Sequence, residues 1–122
     1  MHRLLILSLM TLCFAGGLVA PAFANEYCPS VSVGATQYCD CIVFNYATKD
    51  DAGVTISVLN GSTVLNTCGP LTVLAGSYYQ CDAQFSAPGI CGCQVTGDAK
   101  LSRTSLCVDP GNFAPLTCVP CK

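Results

Sequence analysis

The sequence has no Trp, a single His and a charged-residue share of only 10% across 122 positions. That His is His2, inside an N-terminal stretch that reads as an export signal. Arg3 lies in a short basic start, an apolar run extends from Leu4 to Leu12 and on to Ala20, and Ala22-Phe23-Ala24 has the small-x-small pattern of a cleavage site. Cleavage there makes residues 1–24 a signal peptide, starts the exported chain at Asn25, and removes His2, Arg3, both Met and Cys13. A chain without His excludes Ser-His-Asp and Cys-His catalysis and His-ligated metals. With Glu26 as its one Glu, it also lacks the paired glutamates of most glycosidase sites. No catalytic residues, cofactor or metal site are expected.

Basic residues are scarce as well. Lys49, Lys100, Arg103 and Lys122 are scattered and form no patch to neutralise phosphates, so neither nucleic-acid binding nor attraction to anionic lipid is expected. No charge occurs between Asp51 and Asp82, yet Asn60, Gly61, Ser62, Asn66, Gly69, Pro70 and Gly76 interrupt that stretch. It is too broken for the roughly 20 apolar residues of a spanning helix, and no stable membrane insertion is expected. A lipid anchor is not expected either, because Leu12 precedes Cys13 and Asn25 follows the cleavage site.

What is abundant is cysteine. After Cys13 leaves with the signal, Cys28, Cys39, Cys41, Cys68, Cys81, Cys91, Cys93, Cys107, Cys118 and Cys121 remain, an even set that can pair completely. In a short exported chain this density marks a disulfide scaffold in an oxidising compartment, secreted or periplasmic. Spacing alone does not fix the pairing.

Helical periodicity is absent after the signal, and β-branched and aromatic residues alternate with Ser and Thr between Gly, Pro and Asn breaks. Strands are expected at about Tyr38–Tyr46, Val54–Leu59, Ser62–Cys68, Leu71–Leu74, Ser77–Asp82, Ile90–Thr96 and Leu101–Val108. About seven short antiparallel strands suit an all-β, immunoglobulin-like two-sheet sandwich forming a single domain over residues 25–122. From about residue 109 the tail lacks strand patterning and should be irregular, held by Cys118 and Cys121.

Asn60-Gly61 favours the positive φ angles of a two-residue hairpin turn. That turn sets Leu59 opposite Ser62, Val58 opposite Thr63, Ile56 opposite Leu65 and Val54 opposite Thr67, giving one mostly apolar and one mostly polar side. The Gly69-Pro70 step is expected to end a strand.

In Cys39-Asp40-Cys41 and Cys91-Gly92-Cys93 the spacing of two puts both sulfurs of a pair on one face of a strand. The second and sixth strands of an immunoglobulin-like sandwich run the same way in facing sheets, which makes the parallel rungs Cys41–Cys93 and Cys39–Cys91 geometrically available. Val95 shares the face of Cys91 and Cys93. Ile42, Phe44 and Tyr46 lie opposite Cys39 and Cys41, so one face of that strand needs cover from the tail or an edge loop. Cys118-Val119-Pro120-Cys121 has the C-x-x-C spacing of redox and thiolate-metal sites, but no helix follows to stabilise a thiolate, and structural bridging is the expected role.

Other polar features are weaker. Asp50-Asp51 lacks the further oxygen ligands of a Ca²⁺ loop. Asn60-Gly61-Ser62 matches a glycosylation acceptor in a eukaryotic source, though the turn already accounts for it. Tyr78-Tyr79 could stack a sugar or a partner side chain, with at most one ring expected to be exposed, since strand neighbours point to opposite faces.

The run Cys68-Gly69-Pro70-Leu71-Thr72-Val73-Leu74-Ala75-Gly76, followed by Cys93-Gln94-Val95-Thr96-Gly97 and Ser105-Leu106-Cys107-Val108, resembles a pattern in small, mostly uncharacterised exported bacterial proteins. Their hairpin is similar to Val54-Thr55-Ile56-Ser57-Val58 here. The resemblance spans about residues 38–108 and implies a signal peptide followed by one Cys-containing β-sandwich. Its motifs are structural corners and imply no activity. An exported, non-enzymatic binding or surface-interaction module with an extracellular or envelope partner is the expected function. The alternative is a structural or assembly component of the cell envelope, since a charge-poor sheet has few charges to keep its edges from pairing.

Overall fold

The computed structural model describes residues 24–97, 102–111 and 116–121. The proposed signal lies outside the described residues except for Ala24, as do Lys100 and Lys122. Nine strands form among the described residues: β1 (Ala24–Tyr27), β2 (Val31–Val33), β3 (Tyr38–Asn45), β4 (Asp51–Asn60), β5 (Thr63–Val73), β6 (Tyr78–Gln84), β7 (Gly89–Gly97), β8 (Ser102–Asp109) and β9 (Thr117–Pro120). They make two antiparallel sheets. One is five-stranded, in the order β1-β7-β4-β5 with β2 also pairing β7; the other is four-stranded, β6-β3-β8-β9. The expected two-sheet, all-β sandwich is what forms. Its chain changes sheets after β2, β3, β5, β6 and β7, so most sequence neighbours meet across the core.

Alternation on the central strands builds that core. Cys39, Cys41 and Val43 of β3, Val54, Ile56 and Val58 of β4, Cys91, Cys93 and Val95 of β7, and Leu106 of β8 all turn inward. Apart from Phe85 and Leu106, the interior is chiefly β-branched residues and cysteine, small side chains that leave much of the cohesion to the bridges.

Three local expectations are corrected. Ser62–Cys68 and Leu71–Leu74 are one strand, β5, which runs through Gly69-Pro70 instead of ending there. An edge strand tolerates Pro because one side of its backbone makes no ladder bonds, and Gly69 takes the φ of +113° that the irregularity demands. The hairpin register is also shifted. Asn60 pairs with Thr63, leaving Gly61-Ser62 as the turn, and Ile56 faces Cys68 instead of Leu65. The cause is tertiary: Ile90 N–H donates to Asn60 Oδ1 at 3.1 Å and Gly61 N–H donates to Ile90 O at 2.9 Å, holding Asn60 in the sheet beside β7. A register irregularity between Val58 and Leu59 then turns Cys68 toward Cys81.

The tail is the third correction. Residues 117–120 form β9, which pairs with β8 from Val108↔Thr117 to Ser105↔Pro120. The described part of the tail therefore widens the sheet at its edge. β1 and β2, both on β7, were not evident in the sequence either, being only four and three residues long.

Candidate functional site

All ten cysteines of the proposed exported chain are brought together in five pairs: Cys28–Cys121, Cys39–Cys91, Cys41–Cys93, Cys68–Cys81 and Cys107–Cys118. The two C-x-C strands make the parallel ladder across the sandwich, each rung with Cα atoms 5.8 Å apart. Cys118 and Cys121 do not act together. Cys118 bridges its strand neighbour Cys107 on the outward side of the β6–β3–β8–β9 sheet, while Cys121 joins Cys28, 93 residues earlier. The C-x-x-C sulfurs are thus committed to separate bridges.

With its interior tied down in this way, the sandwich offers chemistry on its two outward faces. On the five-stranded sheet the register lines up Thr55 with Thr96, and Tyr27 with Gln94 and Ser57, and Ser57 with Thr67. Gln94 Nε2 donates to Tyr27 Oη at 3.1 Å, and the Ser57 and Thr67 hydroxyls lie 3.4 Å apart. These side chains are uncharged and partly satisfied by one another.

The outward face of the four-stranded sheet is different. Register sets Phe44 beside Tyr78 and Arg103, Ile42 beside Gln80 and Ser105, and Asp40 beside Asp82 and Cys107. At one end Phe44 stacks with Tyr46, ring centroids 5.9 Å apart, and meets Tyr78 at 5.8 Å. Tyr46 is 73% exposed and Tyr78 63%. Both Tyr78 and Tyr79 reach solvent, Tyr79 at 41%, which corrects the expectation of one exposed ring. The reason is that β6 is an edge strand, so its inward side is also open. Tyrosine on a rigid strand gives large contact area with little ordering cost, and such rings are enriched in recognition surfaces.

Asp40 marks the other end, about 13 Å from Phe44 at roughly 3.3 Å per strand residue. Its residue exposure is only 3%. Burial above all, then the Asp82 and Asp109 carboxylates, push its pKa up to about 6, against a hydrogen bond with Gln80 that lowers it. Because the folded pKa lies above the ordinary 3.8, the fold binds this proton more tightly than the unfolded chain does. The stabilisation from protonated Asp40 is full below about pH 3.8 and is lost as pH rises through about 6. Asp40→Asn should therefore raise stability at pH 7.5 by about 1 kcal/mol after discounting for solvent screening. It should leave stability near pH 4 almost unchanged. Urea midpoints at the two pH values check this, and an Asn variant weaker than the parent at pH 7.5 would contradict it.

A buried polar cluster closes one pole of the sandwich. Asn45 Nδ2 donates to Lys49 O at 2.8 Å and Val73 O at 2.9 Å, and Asn45 Oδ1 accepts from Ala47 N–H at 3.0 Å. The Ser102 hydroxyl donates to Asp51. Asp51 is thus a structural carboxylate at the start of β4. Asp50 Oδ1 accepts from Ala75 N–H at 2.9 Å, which ties the Asp50-Asp51 pair to turn structure.

The aromatic face was not singled out in the sequence. Its signal was present in the alternation Cys39, Cys41, Val43 against Ile42, Phe44, Tyr46, but Tyr78 joins it only through the β3–β6 register. Comparison with protein-family models, with curated proteins and with solved structures finds no match to this chain.

Proposed function

We propose that the chain is an exported, non-enzymatic binding module that contacts an extracellular or envelope partner through the outward face of the β6–β3–β8–β9 sheet. The single observation that carries this reading is the cluster of half-buried Phe44 on β3, exposed Tyr46 just past the end of β3 and exposed Tyr78 on β6, at one end of a disulfide-tied sheet. Five bridges suit an oxidising compartment, which supports export. The resemblance of its corner motifs to a pattern in small exported bacterial proteins fits the same reading.

Replacing Tyr46 and Tyr78 together with Ala should reduce retention on immobilised material from the native extracellular or periplasmic milieu by at least tenfold. Ser57→Ala with Thr67→Ala, on the opposite face, should leave retention unchanged. Equal retention of both variants and the parent would count against the reading.

A second reading, an envelope assembly component, draws on β5, an edge strand with no charged residue from Thr63 to Val73. Part of that edge is already occupied, however. Asn66 Oδ1 accepts from Thr67 N–H at 2.8 Å and Asn66 Nδ2 donates to Asp82 O at 2.8 Å. A register irregularity falls just before Asn66, and bulges and capped groups are common ways of blunting an edge. Size-exclusion of the oxidised chain separates the readings, because an assembly subunit runs large.

A further inference from the structure

Resting on the reading of this face as the contact surface, we infer that its partner is an extended, cationic polypeptide segment. The segment lays an apolar side chain over Phe44, Tyr46 and Tyr78 and places Lys or Arg side chains against the accessible Asp82 and Asp109 carboxylates, with the buried Asp40 carboxylate beneath them.

Charge complementarity selects this occupant. The register puts Asp40 beside Asp82, and Asp109 beside Tyr38 in the next row, so three carboxylates share one end of the face. The opposite sheet presents Thr55, Ser57, Thr67, Gln94 and Thr96 and no charge in these rows. The groups acting on Asp40 are Asp82 from β6, Asp109 from β8 and Gln80. Tyr38 on its own strand and the Cys107–Cys118 bridge toward β9 add no positive charge at this end, and the cation of the face among the described residues, Arg103, sits at the aromatic end beside Phe44, where the apolar group of the segment lands. A buried carboxylate beside two like charges is costly, and an incoming cation reverses the sign of that interaction.

The layout then fixes the partner's form. The aromatic end and the carboxylate end lie about 13 Å apart along β3, which matches about four residues of extended chain. Alternate side chains of such a segment point the same way. One apolar group and a Lys four residues later therefore meet both ends at once. A neutral sugar would stack on the rings and donate hydroxyls to the carboxylates, but would not offset their charge.

The test is calorimetric titration of the disulfide-bonded chain with the peptide Leu-Ser-Thr-Ser-Lys-Ser-Lys at low salt, beside the same peptide with Gln for Lys and a neutral gluco-oligosaccharide. The Lys peptide should bind at least tenfold more tightly than the Gln peptide. Binding should fall at least tenfold in Tyr46→Ala/Tyr78→Ala and in Asp82→Asn/Asp109→Asn, and not in Ser57→Ala. At pH 6 binding should release protons, since a cation favours ionised Asp40, and Asp40→Asn should abolish the release. Absence of Lys-peptide binding, or equal binding of the Gln peptide, would overturn the inference. Oligosaccharide binding that depends on Tyr46 and Tyr78, without Lys-peptide binding, would overturn it while leaving the contact face standing. Ligand binding indifferent to both rings would bring down the two together.

Discussion

Removing either rung of the cystine ladder alone should cost the fold about 1–2 kcal/mol, while removing both should bring it to the edge of unfolding. Each rung joins residues 52 apart. Closing a loop of that length in the unfolded chain is worth about 4 kcal/mol in the chain-entropy model. The two rungs do not each contribute that amount. Once Cys39–Cys91 is closed, Cys41–Cys93 adds only a small ring through Asp40 and Gly92, and the unfolded chain loses little further freedom. Deleting one pair therefore costs mainly the packing of two buried sulfurs. Deleting both restores the long loop as well, for a total of about 5–6 kcal/mol, the lower end of the 5–15 kcal/mol typical of a domain.

The check is urea unfolding of Cys39→Ala/Cys91→Ala, of Cys41→Ala/Cys93→Ala and of the quadruple variant. Strong coupling between the pairs is the signature. Simple additivity would mean that the ladder does not act as one cross-link.

Gly69→Ala should destabilise the chain by about 3 kcal/mol or more. A Cβ built at Gly69 lies 2.4 Å from Val54 O, 3.1 Å from Thr55 Cα and 3.2 Å from Leu71 N. All three are backbone atoms in the paired β4–β5 region, so none can swing aside. The φ of +113° adds strain for any residue with a Cβ. Gly61 supplies the control, because it too has positive φ, +58°, but a Cβ there meets nothing within 4 Å. Gly61→Ala should cost only about 1 kcal/mol, the backbone penalty by itself. Thermal melts of the two variants separate close approach from conformational preference, and equal losses would show that the β4–β5 approach is not tight.

The parts of the fold that could be read in advance are those set by period and chemistry. Cysteines two apart in a strand share a face, so the spacing of Cys39, Cys41, Cys91 and Cys93 made an inter-sheet ladder geometrically available, without fixing it. The apolar alternation of Val54, Ile56 and Val58 announced the buried side of β4. What escaped was decided by distant residues. Asn60 stays in the sheet because Ile90 bonds it, and that contact moves the hairpin turn by one residue. Thr117–Pro120 becomes a strand only because β8 offers an edge, aided by the Cys107–Cys118 bridge.

The candidate face escaped for a similar reason. Ile42, Phe44 and Tyr46 were legible as lying opposite Cys39 and Cys41, but the sequence left open which of the two faces the tail or an edge loop would cover. Asp40 and Asp82 lie 42 positions apart in sequence and become neighbours only through the β3–β6 register. No local pattern could have joined them.

At the centre of this account is a sandwich with a small-residue core whose five bridges carry its stability. Each bridge is typically worth about 2–4 kcal/mol, and together they match or exceed the usual margin of a domain even after discounting for shared loops. Circular dichroism with thermal melts at neutral pH, with and without reductant, tests this most directly. The oxidised chain should give a β spectrum and a cooperative melt, and the reduced chain should have lost both. A reduced chain that keeps its β spectrum and melts within a few degrees of the oxidised one would show that the apolar core of Val43, Val54, Ile56, Val58 and Leu106 holds the fold without the bridges.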